Sequence, residues 1–180
     1  EALVTPSPDG EPGALPKSTR LRYAAHKALT SSGLQDWLAI ESETQVQLDG
    51  SNEITLQETQ HRYHELPGDE FMHSRPSSQD VTLKGKTSRS SYTYERLFSA
   101  LAGESVLQTT ELFKGFDDAP GEEVRKVIIS QNSLYHAQPL LSRDDNQVQI
   151  GYTYDPLNRV LSETVSPGEP EFEATRFYEY

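Results

Sequence analysis

Residues 151–167, GYTYDPLNRVLSETVSP, decide the fold. Just before and within this stretch, Val148, Ile150, Tyr152 and Tyr154 alternate with Gln147, Gln149, Gly151 and Thr153. Side chains alternate across a strand, so the two sets occupy opposite faces of a half-buried β-strand. Asp155-Pro156-Leu157-Asn158 then reads as a type I turn: Asp accepts nearby backbone N–H groups, and Pro presets φ at the second position. Asn158 tolerates the left-handed conformation that usually calls for Gly. With a two-residue loop, Tyr152 falls opposite Leu161 and Tyr154 opposite Arg159, bringing a guanidinium within reach of a ring face.

The pattern recurs along the chain. RFYEY, residues 176–180, repeats the Tyr-x-Tyr of residues 152–154 with Tyr178 and Tyr180, and SYTYER places a further copy at Tyr92 and Tyr94. HRYHE around Tyr63 is a weaker echo. A catalytic motif needs to occur only once, whereas a repeat architecture must recur.

GYTYDPLNRVLSETVSPG followed by EATRFYEY resembles the Rhs/YD repeat. That pattern runs Arg/Gly-x-Tyr-x-Tyr-Asp, two variable residues, Gly-Arg, an apolar pair and a downstream Pro-Gly. Tyr152, Tyr154, Asp155, Arg159, Val160, Leu161, Pro167 and Gly168 match it, and Asn158 stands where the family usually has Gly. The match covers residues 147–180; the copy at residues 92–96 lacks both the Asp and the Gly. The resemblance implies a bacterial secreted or surface toxin protein, in which a β-sheet spiral closes into a shell around a C-terminal toxic domain. The repeats of such a shell are not catalytic and use no cofactor. Their partners are the neighbouring repeats of the parent chain and the enclosed domain. The shell-closing segment of that family, with its self-cleaving aspartates, is not recognisable in this sequence, and neither is a toxin domain.

Outward from this hairpin the texture stays β. DWLAIESETQVQLDGSNEITLQETQHRYHELPG alternates on either side of Asp49-Gly50-Ser51-Asn52, and Asp-Gly is a hairpin signal that pairs residues 37–48 with 53–65. DVTLKG, SRSSYTYERLF, SVLQTTELFKGF, EVRKVIIS and QVQIGYTYD follow, with DDAPGEE and SRDDNQ as the plainest turns. One short helix is placed around Arg96 to Ala102, and TRLRYAAHKALTSSG is open between a strand and a short helix stopped at Gly33. The expected fold is all-β, with antiparallel hairpins in a twisted, repeat-type sheet. Residues 1–17 are a Pro/Gly-rich linker or arm, residues 18–146 a β-rich region of degenerate repeats, and residues 147–180 the clear repeat hairpin and the start of the next.

Composition narrows the function classes. The 180 residues carry 28 Asp and Glu against 16 Lys and Arg, a net charge of −12, so a phosphate backbone is repelled and no nucleic-acid partner is expected. No apolar run approaches the about 20 residues that span a bilayer, and no signal peptide opens the chain. The absence of cysteine removes disulfides and thiolate chemistry. With Glu1 in place of an initiating Met, the chain reads as a piece of a longer protein.

Other constellations carry less. His61, His64 and Glu65 are in the wrong order for His-Glu-x-x-His, and on a strand the two His point to opposite faces, so no metal site is expected. GFDDAPGEE and SRDDNQ cluster carboxylates without the spacing of an EF-hand loop. Glu41 with Glu43, or Glu169 with Glu171, are the acidic pairs that a glycosidase reading would need, but there is no nucleophile elbow and no phosphate-cradling loop; no catalytic residue is assigned. The alternative function is a carbohydrate-binding module for surface adhesion, in which Tyr92 and Tyr94 stack on sugar rings. A repeat hairpin with one apolar face needs a neighbour on its edge, so an isolated piece is expected to pair edge to edge or to be marginally stable.

Overall fold

A computed structural model describes residues 15–115 and 124–180. Most of the Pro/Gly-rich lead-in and the whole DDAPGEE segment lie outside the described residues. The described residues form eleven β-strands and no helix. They are β1 (Lys17–His26), β2 (Trp37–Asp49), β3 (Asn52–Tyr63), β4 (Pro76–Leu83), β5 (Lys86–Ser99), β6 (Glu104–Lys114), β7 (Arg125–Ser133), β8 (Pro139–Arg143), β9 (Gln149–Tyr154), β10 (Val160–Val165) and β11 (Ala174–Phe177). Each strand's neighbours in the sheet are its neighbours in the chain, which makes an antiparallel meander. No helix among the described residues is long and apolar enough to cross a membrane.

Two compact units divide the chain: Glu1–Ser90 with Lys114–Val124, and Ser91–Phe113 with Arg125–Tyr180. In the first unit the β2–β3 hairpin forms as its alternation predicts, Asp49 opposite Asn52, with Gly50 at φ +59° supplying the left-handed turn residue. The segment open between strand and helix is strand β1, paired with β2 through a bulge at Arg22/Tyr23. At the end of this hairpin the rings of His26, Trp37 and Tyr63 close on one another at 4.7 to 5.4 Å between centroids, and Tyr63 donates its hydroxyl to the Ile40 carbonyl at 3.0 Å.

Asp80 on β4 is the electrostatic knot of this unit. Its carboxylate accepts Arg62 Nη1 from β3 at 2.8 Å and Arg89 Nε and Nη2 from β5 at 2.5 and 2.7 Å. The Arg89 hydrogen bonds hold its pKa down at about 2, with Arg62 adding to them against the opposing effect of desolvation.

In the second unit the helix expected around Arg96 to Ala102 does not form. β5 continues to Ser99, and the chain then reverses in a single turn in which Gly103 N–H bonds Ser99 O at 2.8 Å with Gly103 at φ +71°. One helical-type hydrogen bond cannot offset the cost of a helix nucleus, so the turn ends where it starts. The β7–β8 turn repeats this geometry: Ala137 N–H bonds Ser133 O at 3.0 Å with Ala137 at φ 61°, and Ser133, like Ser99, is buried.

The core is thin. Among the described residues the buried apolar side chains are Ala39, Val46, Val106 and Leu141, of which Val46 and Val106 are fully buried, while Thr59, His73, Asp80, Ser99, Ser133 and Ser162 are buried polar ones. Leu21, Ile54, Phe98, Val127, Leu161 and Phe177 stay exposed on their strands. Stability therefore rests on hydrogen-bonded ladders and cross-strand pairs more than on a closed interior.

Candidate functional site

β9 and β10 form the strand, turn, strand unit expected of residues 151–167. Asp155 shapes the turn: its Oδ1 accepts Leu157 N–H and Arg159 N–H, both at 2.9 Å, and its Oδ2 accepts Arg159 Nε at 2.7 Å. These bonds, the one from Arg159 N–H foremost, hold the Asp155 carboxyl below its ordinary pKa. The backbone closes with Asn158 N–H on Asp155 O and Asp155 N–H on Arg159 O, both at 2.9 Å. Asn158 lies at φ 60°, in the left-handed conformation its identity allows.

The register differs from the expected one. Val160, not Arg159, pairs with Tyr154, and Glu163, not Leu161, pairs with Tyr152, because the left-handed Asn158 lengthens the loop and Leu161 is left as a bulge between Val160 and Ser162. The freed Leu161 carbonyl accepts Tyr178 N–H at 2.9 Å. The Arg159 guanidinium does cover a tyrosine, but that ring is Tyr180, 4.6 Å from the guanidinium carbon.

The remaining motif residues are tied into the same unit. Tyr154 donates its hydroxyl to Pro139 O at 2.6 Å, and its ring lies 5.6 Å from that of His136. Tyr178 donates to Glu163 Oε2 at 3.0 Å. Burial raises the Tyr152 pKa, with smaller contributions from Glu163 and Tyr178, and burial raises that of Tyr154. Gly168 occupies φ +85° and gives its N–H to the Glu173 carboxylate at 2.7 Å.

A second copy of the Asp155 turn lies eleven residues upstream, at Asp144. Asp144 Oδ1 accepts Asn146 N–H at 3.0 Å and Val148 N–H at 2.9 Å, Gln147 N–H bonds Asp144 O, and Asp144 N–H bonds Val148 O, each at 3.1 Å. Gln147, at φ 67°, occupies the place of Asn158. SRDDNQ is thus a turn as its composition predicts, but its likeness to DPLNR was not readable. Only the first Asp is shared by identity.

A groove of about 340 Å³ opens beside the hairpin within the second unit. Tyr152 and Tyr154 line it together with Glu104, His136, Leu101 and Gly151. Glu104 opens β6 and His136 lies in the β7–β8 turn, and neither is marked as a groove residue by local sequence, because only the meander brings them to β9. Tyr92 and Tyr94 lie half-buried on β5 and are not among the groove's lining residues. Among the described residues no group of three or more His, Asp or Glu side chains is placed to hold a metal ion; GFDDAPGEE lies outside them apart from Gly115. No protein-family model, curated protein or solved structure matches the chain.

Proposed function

We propose that this chain is a non-catalytic wall segment of an Rhs/YD-repeat toxin protein, secreted or held at the bacterial surface, whose sheet helps to enclose a C-terminal toxic domain. The observation that carries this reading is the recurrence of one turn, with the same four hydrogen bonds and the same left-handed fourth residue, at Asp144 and at Asp155. Repetition of a structural unit is what a wall requires. The thin core supports it too: exposed apolar side chains on both units leave surface for neighbouring repeats to cover. Adhesion through sugars stacked on Tyr92 and Tyr94 is less well supported, since both residues are half-buried.

The reading is tested by determining the parent coding sequence on both sides of this segment. Tyr-x-Tyr-Asp units continuing at intervals of roughly 20–25 residues and ending in an unrelated C-terminal domain support it. A reading frame that closes directly after Tyr180 overturns it.

A further inference from the structure

The groove beside Tyr152 and Tyr154 has a chemical character that the wall reading does not use. Glu104 Oε1 is buried at its side and has no hydrogen-bond partner. A carboxylate oxygen removed from water without a donor is costly, and the cost is relieved only by a group that brings one. None of the groove's lining residues is Lys or Arg. The Tyr154 oxygen, whose hydrogen is committed to Pro139 O, presents its lone pairs as a further acceptor. Leu101 and the rings of Tyr152, Tyr154 and His136 provide apolar and π surface around these acceptors.

Gly151 keeps the groove open. A Cβ added there would meet Pro167 Cγ at 3.7 Å, Leu101 Cδ2 at 3.9 Å and Leu140 O at 4.0 Å. These are ordinary contacts, so an alanine fits the fold while occupying the space a ligand would use.

We propose that this groove binds an organic cation on an apolar stem, of the kind carried by a lysine or arginine side chain. The stem lies along Leu101 and the aromatic rings, and the ammonium or guanidinium pairs with the Glu104 carboxylate. Donor-only heads suit a site that offers acceptors, and aromatic faces add cation–π attraction. The net charge of −12 favours the same ligands over anions.

The test is calorimetric or NMR titration of the purified chain with N-acetyl-lysine amide, beside N-acetyl-norleucine amide, its uncharged counterpart, and a neutral monosaccharide. The proposal expects saturable binding of the lysine probe and binding of the norleucine probe weaker by at least about tenfold, the worth of one charge-assisted hydrogen bond. Glu104→Gln should lose the preference for the charged probe, and Gly151→Ala should weaken binding while leaving the circular dichroism spectrum unchanged and the unfolding midpoint no lower. No saturable binding of the lysine probe, equal binding of the two amides, or tighter binding of the sugar would overturn it. Should Glu104→Gln fail to fold, undiminished binding by Gly151→Ala is enough to reject the site.

Discussion

Asp155 grips Arg159 twice: one carboxylate oxygen takes the Arg159 backbone N–H at 2.9 Å and the other takes its Nε at 2.7 Å. The same arginine reaches over the Tyr180 ring, so one aspartate fixes the turn and, through Arg159, a ring three residues beyond β11. Asp155→Ala should therefore lower the urea midpoint of the chain, and Asp155→Asn should lower it less. Asn keeps an oxygen for the two backbone amides and loses only the ion pair. Equal losses would mean that the charge, not the Asx-type turn, holds the hairpin.

The paired turns give a second prediction through their left-handed residues. Asn tolerates that conformation better than Gln, so Gln147→Gly should stabilise the chain by about 0.5–1 kcal/mol and Asn158→Gly by less. Asn158→Val should destabilise, because a β-branched side chain is the least suited to positive φ. Equilibrium denaturation of the three variants checks the order.

Acid sensitivity follows from Asp80. Its pKa, about 2 in the folded chain, lies below the ordinary value of 3.8, so its contribution is complete above about pH 4 and is lost as pH falls towards 2. Arg62 and Arg89 are half-exposed, which screens the pair and leaves about 1–2 kcal/mol at stake. Asp80→Asn should flatten the fall in stability between pH 4 and pH 2 and destabilise the chain at pH 7. A variant that retained the full slope would assign it to other carboxylates.

Self-association should run through one edge more than the other. The edge strand β1 carries Lys17, Arg20 and Arg22, the arginines paired with Glu53 and Glu41, beside exposed Leu21 and Tyr23, whereas β11 and its flanks expose Phe172, Phe177 and Tyr180 with Arg176 as their one basic residue. Phe177→Lys should reduce dimer formation in sedimentation velocity, and Leu21→Lys should have little effect. The reverse ranking would place the contact on β1.

Local chemistry made much of this fold legible in the sequence. Asp49-Gly50 marked its hairpin, alternation marked β2, β3 and β9, and Asp155-Pro156 marked the repeat turn. The illegible parts depended on single residues whose effect is set by the backbone. RLFSALAG reads as a helix by content, yet Ser99 is buried at the end of a strand and Gly103 turns the chain back. The left-handed Asn158 was anticipated, but the bulge it creates at Leu161, which shifts the partners of Tyr152 and Tyr154, was not. The groove joins Glu104, His136 and Gly151 from separate strands and turns, and no local spacing announces such a meeting.

If the proposed wall function holds, the edges of this sheet are completed by the rest of the parent chain. Electron cryomicroscopy of the intact parent protein tests that most directly. A wall segment should appear within a hollow β-sheet shell, with the outer edges of both β1 and β11 hydrogen-bonded to neighbouring strands of the same chain. A freestanding appended module, with either edge open to solvent and no enclosed domain, would contradict it.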